Sequence, residues 1–205
     1  MTSLASDAVV RLIQSAKAGD DQALDELFRG YHSYVNLVAR IQFDVRRTPQ
    51  ISPSDIAQET LLKAQRSIRQ FQGSSESEWT AWLRSILAAQ ICSTLRYLYA
   101  NRRDVRLERQ IRTQLDASSE ILGELADHRS GSPSASSIRR EQAVLLADAI
   151  ADLAEDYREV LIMRHMQGIS FAEIARDTQR TVDSVKSVWR RAILQLRMHL
   201  ADLQD

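Results

Sequence analysis

The feature that most constrains the fold lies near the end of the chain, where two short helical patterns follow one another at residues 168–178 and 181–191. Ser170 and Thr181 each stand just before one of these patterns. There, a side-chain oxygen can accept a hydrogen bond from the free backbone N–H groups of the first helical turn. Two capped helices separated by so short a turn predict a helix-turn-helix.

The second helix of this motif has two contrasting faces. Val182, Val185 and Trp189 recur at spacings of three and four residues, which predicts a buried stripe. The opposite face carries short hydroxyl groups and long cations, which suit phosphate oxygens and the guanine edge in a major groove. The candidate DNA-contact residues on this face are Thr181, Ser184, Lys186, Ser187, Arg190 and Arg191.

Charge favours this interpretation over plain solvated surface, which is what a cationic helix face more often is. Residues 176–197 contain six basic and two acidic side chains, whereas the whole chain has 27 of each. A protein that holds duplex DNA unaided is usually basic throughout, because neutralised phosphates and released counterions supply most of the non-specific affinity. The neutral total therefore predicts weak DNA binding alone and help from a partner.

Several classes of protein are disfavoured by composition. Cys92 is the sole cysteine, so we expect a small buried thiol, no disulfide framework and no cysteine zinc site, as in the cytoplasm. The histidines have no second ligand at metal spacing, and we expect no metal and no cofactor. Residues 1–10 lack the pattern of a targeting signal and no run of about eighteen apolar residues occurs, so we expect no membrane association. The histidines are His32, His128, His165 and His199.

The fold is expected to be all-α, because the apolar residues recur at helical spacing and only three prolines and six glycines occur. Residues 127–137 are rich in serine, glycine and proline, which is typical of a flexible tether. We therefore predict two small helical domains, at 1–103 and 141–205, joined by a linker at 104–140. The second domain contains the helix-turn-helix.

One helix of the first domain carries a polar face. A serine cap at Ser52, Pro53 in the first turn and an acid at Asp55 are coincident start signals. Asp55 and Glu59 then share a face one turn apart. Two carboxylates could serve as an acid/base pair or as metal ligands, but no histidine or third acid is near in sequence. A contact surface for another protein is favoured.

A polar loop at 71–78 precedes a helix that contains Trp79 and Trp82. Tryptophans at this spacing are usually core residues, although flat rings beside a loop also offer a place for an unstacked base. A second basic stripe begins where this helix ends, since residues 96–112 again contain six basic and two acidic side chains. Each predicted domain thus carries its own cationic segment.

With these features together, the chain resembles a bacterial sigma factor of the extracytoplasmic-function (ECF) group of the sigma-70 family. The best local matches are residues 55–61, which resemble the family's core-polymerase-binding helix, and residues 153–196 around the helix-turn-helix. The resemblance implies a transcription initiation factor with no catalytic site and no small-molecule substrate, whose partners are core RNA polymerase and promoter DNA.

The resemblance also implies roles for particular residues. The helix from Thr181 would lie in the major groove of the −35 element. The loop at 71–78 and the helix after it would open the −10 element, with contacts from Gln72, Gly73, Ser74, Ser75, Trp79, Trp82, Arg96, Arg102 and Arg103. Core polymerase would bind Asp55, Gln58, Glu59, Leu62 and Lys63.

This chain departs from the family pattern in the tryptophan helix. Ala89 and Ser93 stand where many relatives carry an asparagine and an aspartate before the arginine that is here Arg96. The −10 preference is therefore open. Three ways of keeping such a factor silent are also open: an anti-sigma protein, closure of the domains, or modification of the serine-rich linker.

Two other classes of function compete with the sigma factor. One is a LuxR-type helix-turn-helix regulator, which would dimerise and bind a palindromic duplex without polymerase. The other is a helical enzyme or a protein adaptor. The enzyme is disfavoured because the sequence offers no nucleophile paired with a base and no metal cluster.

Overall fold

The computed structural model describes residues 2–43, 50–99, 105–126 and 136–202, and within these ranges the chain is helical and contains no strand, as predicted. It divides into two compact units, Met1–Val144 and Leu145–Asp205. None of the described helices is both long enough and apolar enough to cross a membrane. The helices are α1 (Thr2–Ala18), α2 (Asp21–Gln42), α3 (Pro53–Ser67), α4 (Glu76–Tyr99), α5 (Val105–Ala126), α6 (Ser136–Ala151), α7 (Glu155–Leu161), α8 (Phe171–Asp177) and α9 (Val182–Asp202).

Local signals begin two helices of the first unit, and those of α3 are the ones that the sequence predicts. The Asp20 carboxylate accepts hydrogen bonds from the backbone N–H groups at the start of α2, and the Ser52 hydroxyl does the same for α3, with Pro53 at the first helical position. The end of α2 follows from the backbone of the next residue. The helix stops at Gln42 because Phe43 turns to extended backbone and is itself buried.

The core of the first unit is organised around Trp79, whose side chain is fully buried. Three aromatic rings meet the indole edge-to-face, at centroid distances of 5.4 Å for Phe28, 6.0 Å for Tyr31 and 5.4 Å for Phe71. Such edge-to-face pairs stabilise a core beyond the area they bury. The rings come from α2 and from the loop before α4, so Trp79 fixes that loop to the helices beneath it.

The predicted linker at 104–140 is helical at both ends, because residues 105–126 form α5, which packs against α2 and α4, and residues 136–140 belong to α6. Residues 127–135 lie outside the described residues.

A buried polar network holds α5 against α2 and α4. Arg84 donates from Nε to Asp116 Oδ1 at 2.8 Å and from Nη1 to the Tyr34 hydroxyl at 2.9 Å. That hydroxyl lies 3.0 Å from the hydroxyl of Ser119. Because Arg84 is buried, its charge needs these partners.

The second unit has a small core under the helix-turn-helix. Ile174 and Ala175 of α8 pack with Val185 of α9, and Val188 and Trp189 close the cluster from α9. The expectation for Val182 was wrong. Its side chain is 37% exposed because it is the first residue of α9, and the packed stripe begins one turn later.

Candidate nucleic-acid interface

The helix-turn-helix is built from local hydrogen bonds. At the start of α8, the Ser170 hydroxyl accepts from the Glu173 backbone N–H at 3.2 Å, and Glu173 Oε2 accepts in return from the Ser170 backbone N–H at 3.0 Å. This reciprocal pair is a capping box. At the start of α9, the Thr181 hydroxyl accepts from the Ser184 backbone N–H at 3.2 Å. Both predicted caps are therefore present.

The turn between the two helices closes with a Schellman motif. The backbone N–H of Gln179 donates to the carbonyl of Arg176 at 3.3 Å, and that of Arg180 donates to the carbonyl of Ala175 at 2.8 Å. Gln179 has a φ of 55°, the left-handed conformation that this motif requires. The Arg180 side chain also reaches Asp156 at 2.8 Å, which ties the turn to α7.

The structure places the predicted DNA-contact residues together on the outer side of α9. Five of them are exposed and Ser187 is half-buried; the exposed ones are Thr181, Ser184, Lys186, Arg190 and Arg191. The Ser187 hydroxyl donates to the Asp183 carbonyl at 2.8 Å, and Arg190 Nη2 donates to Ser187 Oγ at 3.4 Å. These side chains form one cationic, hydroxyl-bearing surface that can meet phosphates and base edges.

Sequence reasoning missed His165, whose imidazole contacts the buried side of α9. Trp189 Nε1 donates to Nε2 of His165 at 2.9 Å, and the two ring planes are only 21° apart. His165 lies in a π-helical turn, Ile162–Met166, that continues α7. Burial, and then the charge of Arg164, lowers the pKa of His165, so the imidazole is held neutral. Only long-range packing brings these residues together, and the sequence carries no local signal of it.

The polar face of α3 is exposed as predicted from its spacing. Asp55, Gln58, Glu59, Leu62 and Lys63 all have exposed side chains on this helix.

Two members of this set are linked by a residue that the sequence did not suggest. Gln90 of α4 donates from Nε2 to Glu59 Oε2 at 3.3 Å and accepts from Lys63 Nζ. Gln90 therefore restricts the side chains of both Glu59 and Lys63 on the exposed face of α3.

The Glu78 carboxylate accepts three hydrogen bonds from the end of the loop before α4. Glu78 Oε2 accepts from the backbone N–H of Ser74 at 2.9 Å, from the backbone N–H of Ser75 at 3.1 Å and from the Ser75 hydroxyl at 2.8 Å. The Ser75 hydroxyl accepts in turn from the Glu78 backbone N–H at 3.3 Å. The N–H of Ser74, followed by the hydroxyl and N–H of Ser75, lowers the pKa of Glu78, which therefore remains ionised.

Residues far apart in sequence complete the loop. Lys17 Nζ of α1 lies 3.5 Å from the Gly73 carbonyl and 5.5 Å from the Phe71 ring centroid. Gly73 lies so close to Phe71 that an added Cβ would stand 2.4 Å from Cζ of that ring. The loop has no room for a side chain at this position.

The candidate −10 residues divide between the surface and the core. Gln72 and Ser74 are exposed, and Gly73, Ser75 and Trp82 are half-buried. Trp82 stacks at a tilt beside Phe71, with ring centroids 5.1 Å apart.

One candidate does not join this surface. Trp79 is fully buried and is a core residue, because no face of its indole is open to a base. Arg96 donates from Nε to the Cys92 carbonyl at 3.1 Å, while Cys92 is a buried free thiol, as expected. Arg102 and Arg103 lie outside the described residues.

The helix-turn-helix lies within a segment that matches a known family. Residues 143–196 match the family model for sigma-70 region 4. The RNA polymerase sigma-H factor of Pseudomonas aeruginosa is 27% identical over 186 residues, which are 86% of each protein. The ECF RNA polymerase sigma factor SigC of Mycobacterium tuberculosis is 29% identical over 194 residues, 94% of this chain and 92% of SigC. These matches support a sigma-70 family factor of the ECF group.

The region 4 match contains α7, α8 and most of α9, and therefore the entire helix-turn-helix. The ECF RNA polymerase sigma-E factor of Haemophilus influenzae aligns over 86% of both chains at 28% identity. A solved structure of CnrH in complex with the cytosolic domain of CnrY covers 97% of this chain and 99% of its own, at 20% identity and a TM-score of 0.35.

Proposed function

We propose that this protein is an RNA polymerase sigma factor that directs core polymerase to specific promoters and initiates transcription. The observation that carries the proposal is the alignment of nearly the whole chain with ECF sigma factors, together with a region 4 match on the helix-turn-helix. The same observation favours a sigma factor over a LuxR-type regulator. The protein acts in the cytoplasm, on promoter DNA, as a non-catalytic subunit of the polymerase.

The decisive experiment is in vitro transcription on a genomic promoter library with core RNA polymerase, in the presence and absence of this protein. The proposal expects specific start sites that depend on the protein. It fails if the protein never associates with core enzyme yet binds a duplex site tightly alone. Promoters recovered in this way serve as probes for the variants below.

The outer side of α9 is proposed to bind the −35 element. Lys186→Ala combined with Arg191→Ala removes two exposed cations from that surface. Because each lost phosphate contact lowers the salt slope of binding by about one, promoter binding weakens and becomes less salt-dependent. A matched control, Arg11→Ala with Arg29→Ala, removes the same charge from exposed positions on α1 and α2. Equal effects of the two pairs would contradict a specific role of α9.

The polar face of α3 is proposed to bind core polymerase. Asp55→Lys with Glu59→Lys reverses two exposed charges, and Glu59 also loses its bond with Gln90. Holoenzyme assembly, measured by native gel or fluorescence anisotropy, should weaken while the helical circular dichroism is retained. Asp25→Lys with Glu26→Lys makes the same charge change at exposed positions of α2. Unchanged assembly in the α3 variant would place the contact elsewhere.

The loop at 71–75 and the half-buried Trp82 are proposed to hold a base extruded from the −10 element. Extrusion costs a few kcal/mol, which stacking and hydrogen bonds in the polymerase complex must offset. Trp82→Ala should therefore reduce strand opening, measured by permanganate reactivity, more than it reduces duplex binding. Equal loss of both would contradict a role confined to opening.

A further inference from the structure

His165 and Trp189 form a contact that the function proposed above does not use. The indole N–H of Trp189 donates to Nε2 of His165 at 2.9 Å, and the two ring planes are 21° apart. The contact joins the π-helical turn after α7 to the middle of α9. Trp189 directly precedes Arg190 and stands three residues after Lys186, so whatever fixes the indole also fixes the DNA-facing side of that helical turn.

We propose that His165 is a positioning residue for promoter recognition: its neutral imidazole accepts the Trp189 indole N–H and thereby holds α9 in its binding orientation, so that protonation weakens promoter binding. This inference rests on the proposed function, because it takes α9 as the −35 recognition helix. It adds a residue behind the interface and a pH-dependent property to that function.

The surroundings of Trp189 leave the indole one fixed position. The Phe171 ring of α8 meets the indole edge-to-face at a centroid distance of 5.5 Å. Arg164 covers the Phe171 ring at 4.6 Å and donates from Nη1 to the Ile169 carbonyl at 3.3 Å. The indole is therefore bounded by a ring of α8 on one side and by the imidazole on the other.

The chemistry of the two rings gives the contact its direction. An indole N–H can only donate, so its partner nitrogen must carry a lone pair. A neutral imidazole with its proton on Nδ1 meets this condition, whereas an imidazolium presents N–H groups at both nitrogens. Protonation therefore replaces a hydrogen bond by two donors that face each other, and Trp189 has to move.

The electrostatic environment opposes protonation. Among the described residues, Arg164 on the same turn is the charged group that acts on the imidazole. The Trp189 indole of α9, which contacts the imidazole, and the Phe171 ring of α8, which packs against that indole, carry no charge. Burial and Arg164 together lower the pKa of His165 below its usual 6.5. The contact is intact near neutral pH and is lost as the pH falls through the pKa of His165.

The test uses full-length protein assembled with core RNA polymerase and a promoter fragment recovered by in vitro selection. His165→Met removes the acceptor and keeps the volume, His165→Gln retains an acceptor oxygen, and Trp189→Phe removes the donor. At pH 7.5 we expect His165→Met to bind about tenfold more weakly and His165→Gln to stay within about threefold of the wild type. The double variant His165→Met with Trp189→Phe should recover part of the loss, because neither partner is then left unpaired.

The pH profile separates positioning from simple packing. Binding is measured from pH 7.5 to 5.5 as the ratio of wild type to His165→Gln, so that titration of the other histidines cancels. We expect this ratio to fall by at least about threefold across the range, which corresponds to about half a pKa unit of coupling. The three tryptophans give three indole N–H signals in an NMR spectrum, and the one absent from Trp189→Phe should shift over the same pH range.

Each outcome decides between the alternatives. A ratio that stays flat while the Trp189 signal titrates would show that the pair packs the core without positioning α9, which overturns this inference alone. A Trp189 signal that does not respond to pH would overturn it as well. A wild-type holoenzyme that binds no promoter at pH 7.5 would contradict the proposed function, and this inference with it.

Discussion

Two loops in this molecule end in a capping box, but the contacts that surround each capping box differ. Ser75 begins α4 and Ser170 begins α8, and in each case a glutamate three residues later closes a capping box. In the helix-turn-helix, the next turn is closed by its own backbone through the Schellman motif at Gln179. The loop before α4 instead depends on Lys17 from α1.

This difference bears on how each element meets DNA. The helix-turn-helix is organised by contacts between near neighbours, so it can present α9 as a preformed surface. The loop at 71–75 takes its shape from the Phe71 ring, the absence of a side chain at Gly73 and a lysine 56 residues away. An element proposed to hold an extruded base is thus coupled to the core around Trp79, and changes in that core should reach it.

The largest expected effect comes from filling the space at Gly73. In Gly73→Ala the new Cβ would lie 2.4 Å from Phe71 Cζ and 2.8 Å from Glu78 Cβ, so the ring and the start of α4 must both shift. We expect a loss of about 1–3 kcal/mol in the free energy of unfolding of the first unit, measured by urea denaturation, together with reduced strand opening. The binding to a −35 element that we propose for the second unit should change little.

Gly30 supplies the matched control within the same unit. It lies inside α2, and an added Cβ would have no heavy atom within 4 Å. Gly30→Ala should therefore stabilise the first unit by about 0.5–1 kcal/mol, because alanine loses less backbone entropy in a helix. A destabilisation equal to that of Gly73→Ala would show that the loop is more adaptable than its packing indicates.

The next effect compares the two capping boxes directly. Ser75→Ala and Ser170→Ala each remove a hydroxyl that accepts from the N–H three residues on, and each should cost about 1 kcal/mol. Because α8 has seven residues and α4 has 24, the loss should disturb the helix-turn-helix more. Amide hydrogen exchange in α8 and α4 would measure this, and equal protection in both variants would contradict it.

The features that could be predicted from sequence are those that depend on residues close together in the chain. The caps at Ser52, Ser170 and Thr181 follow from short-range rules of hydrogen bonding, and each is found in the structure. The exposed faces of α3 and α9 follow from helical spacing in the same way. Short-range rules therefore predict the all-α fold class and most of the candidate contact surface.

What could not be predicted depends on partners distant in sequence. The position of α5 rests on Arg84 reaching Asp116, 32 residues away, and periodicity does not reveal such a pairing. Trp79 and Trp82 lie on one helix within one turn, yet only the fold decides that the first is buried and the second half-exposed. His165 gave no signal at all, because its partner is on another helix.

A smaller effect tests the turn of the helix-turn-helix. Gln179 has a φ of 55°, which a residue with a Cβ adopts at a cost, whereas glycine does not. Gln179→Gly should therefore stabilise the second unit by up to about 1 kcal/mol in thermal unfolding. The reverse change, Gly19→Ala, where φ is 98° after α1, should destabilise the first unit. No gain in Gln179→Gly would mean that the Gln179 side chain contributes to the fold.

The smallest expected effect concerns acid and the Glu78 carboxylate, which is fully exposed. Hydrogen bonds from Ser74 and Ser75 lower its pKa in the folded protein from the usual value near 4.5. A carboxylate whose pKa is lower in the folded than in the unfolded protein stabilises the fold when the pH is above the unfolded pKa. This contribution is lost as the pH falls from 4.5 through the folded pKa. The difference in unfolding free energy between wild type and Glu78→Gln should therefore be largest near pH 7 and shrink below pH 4.5. Glu159→Gln, at an exposed position of α7, controls for the loss of one charge. A difference that does not change with pH would mean that glutamine satisfies the loop as well as the carboxylate does, and that the shape of the loop owes more to Gly73 than to Glu78.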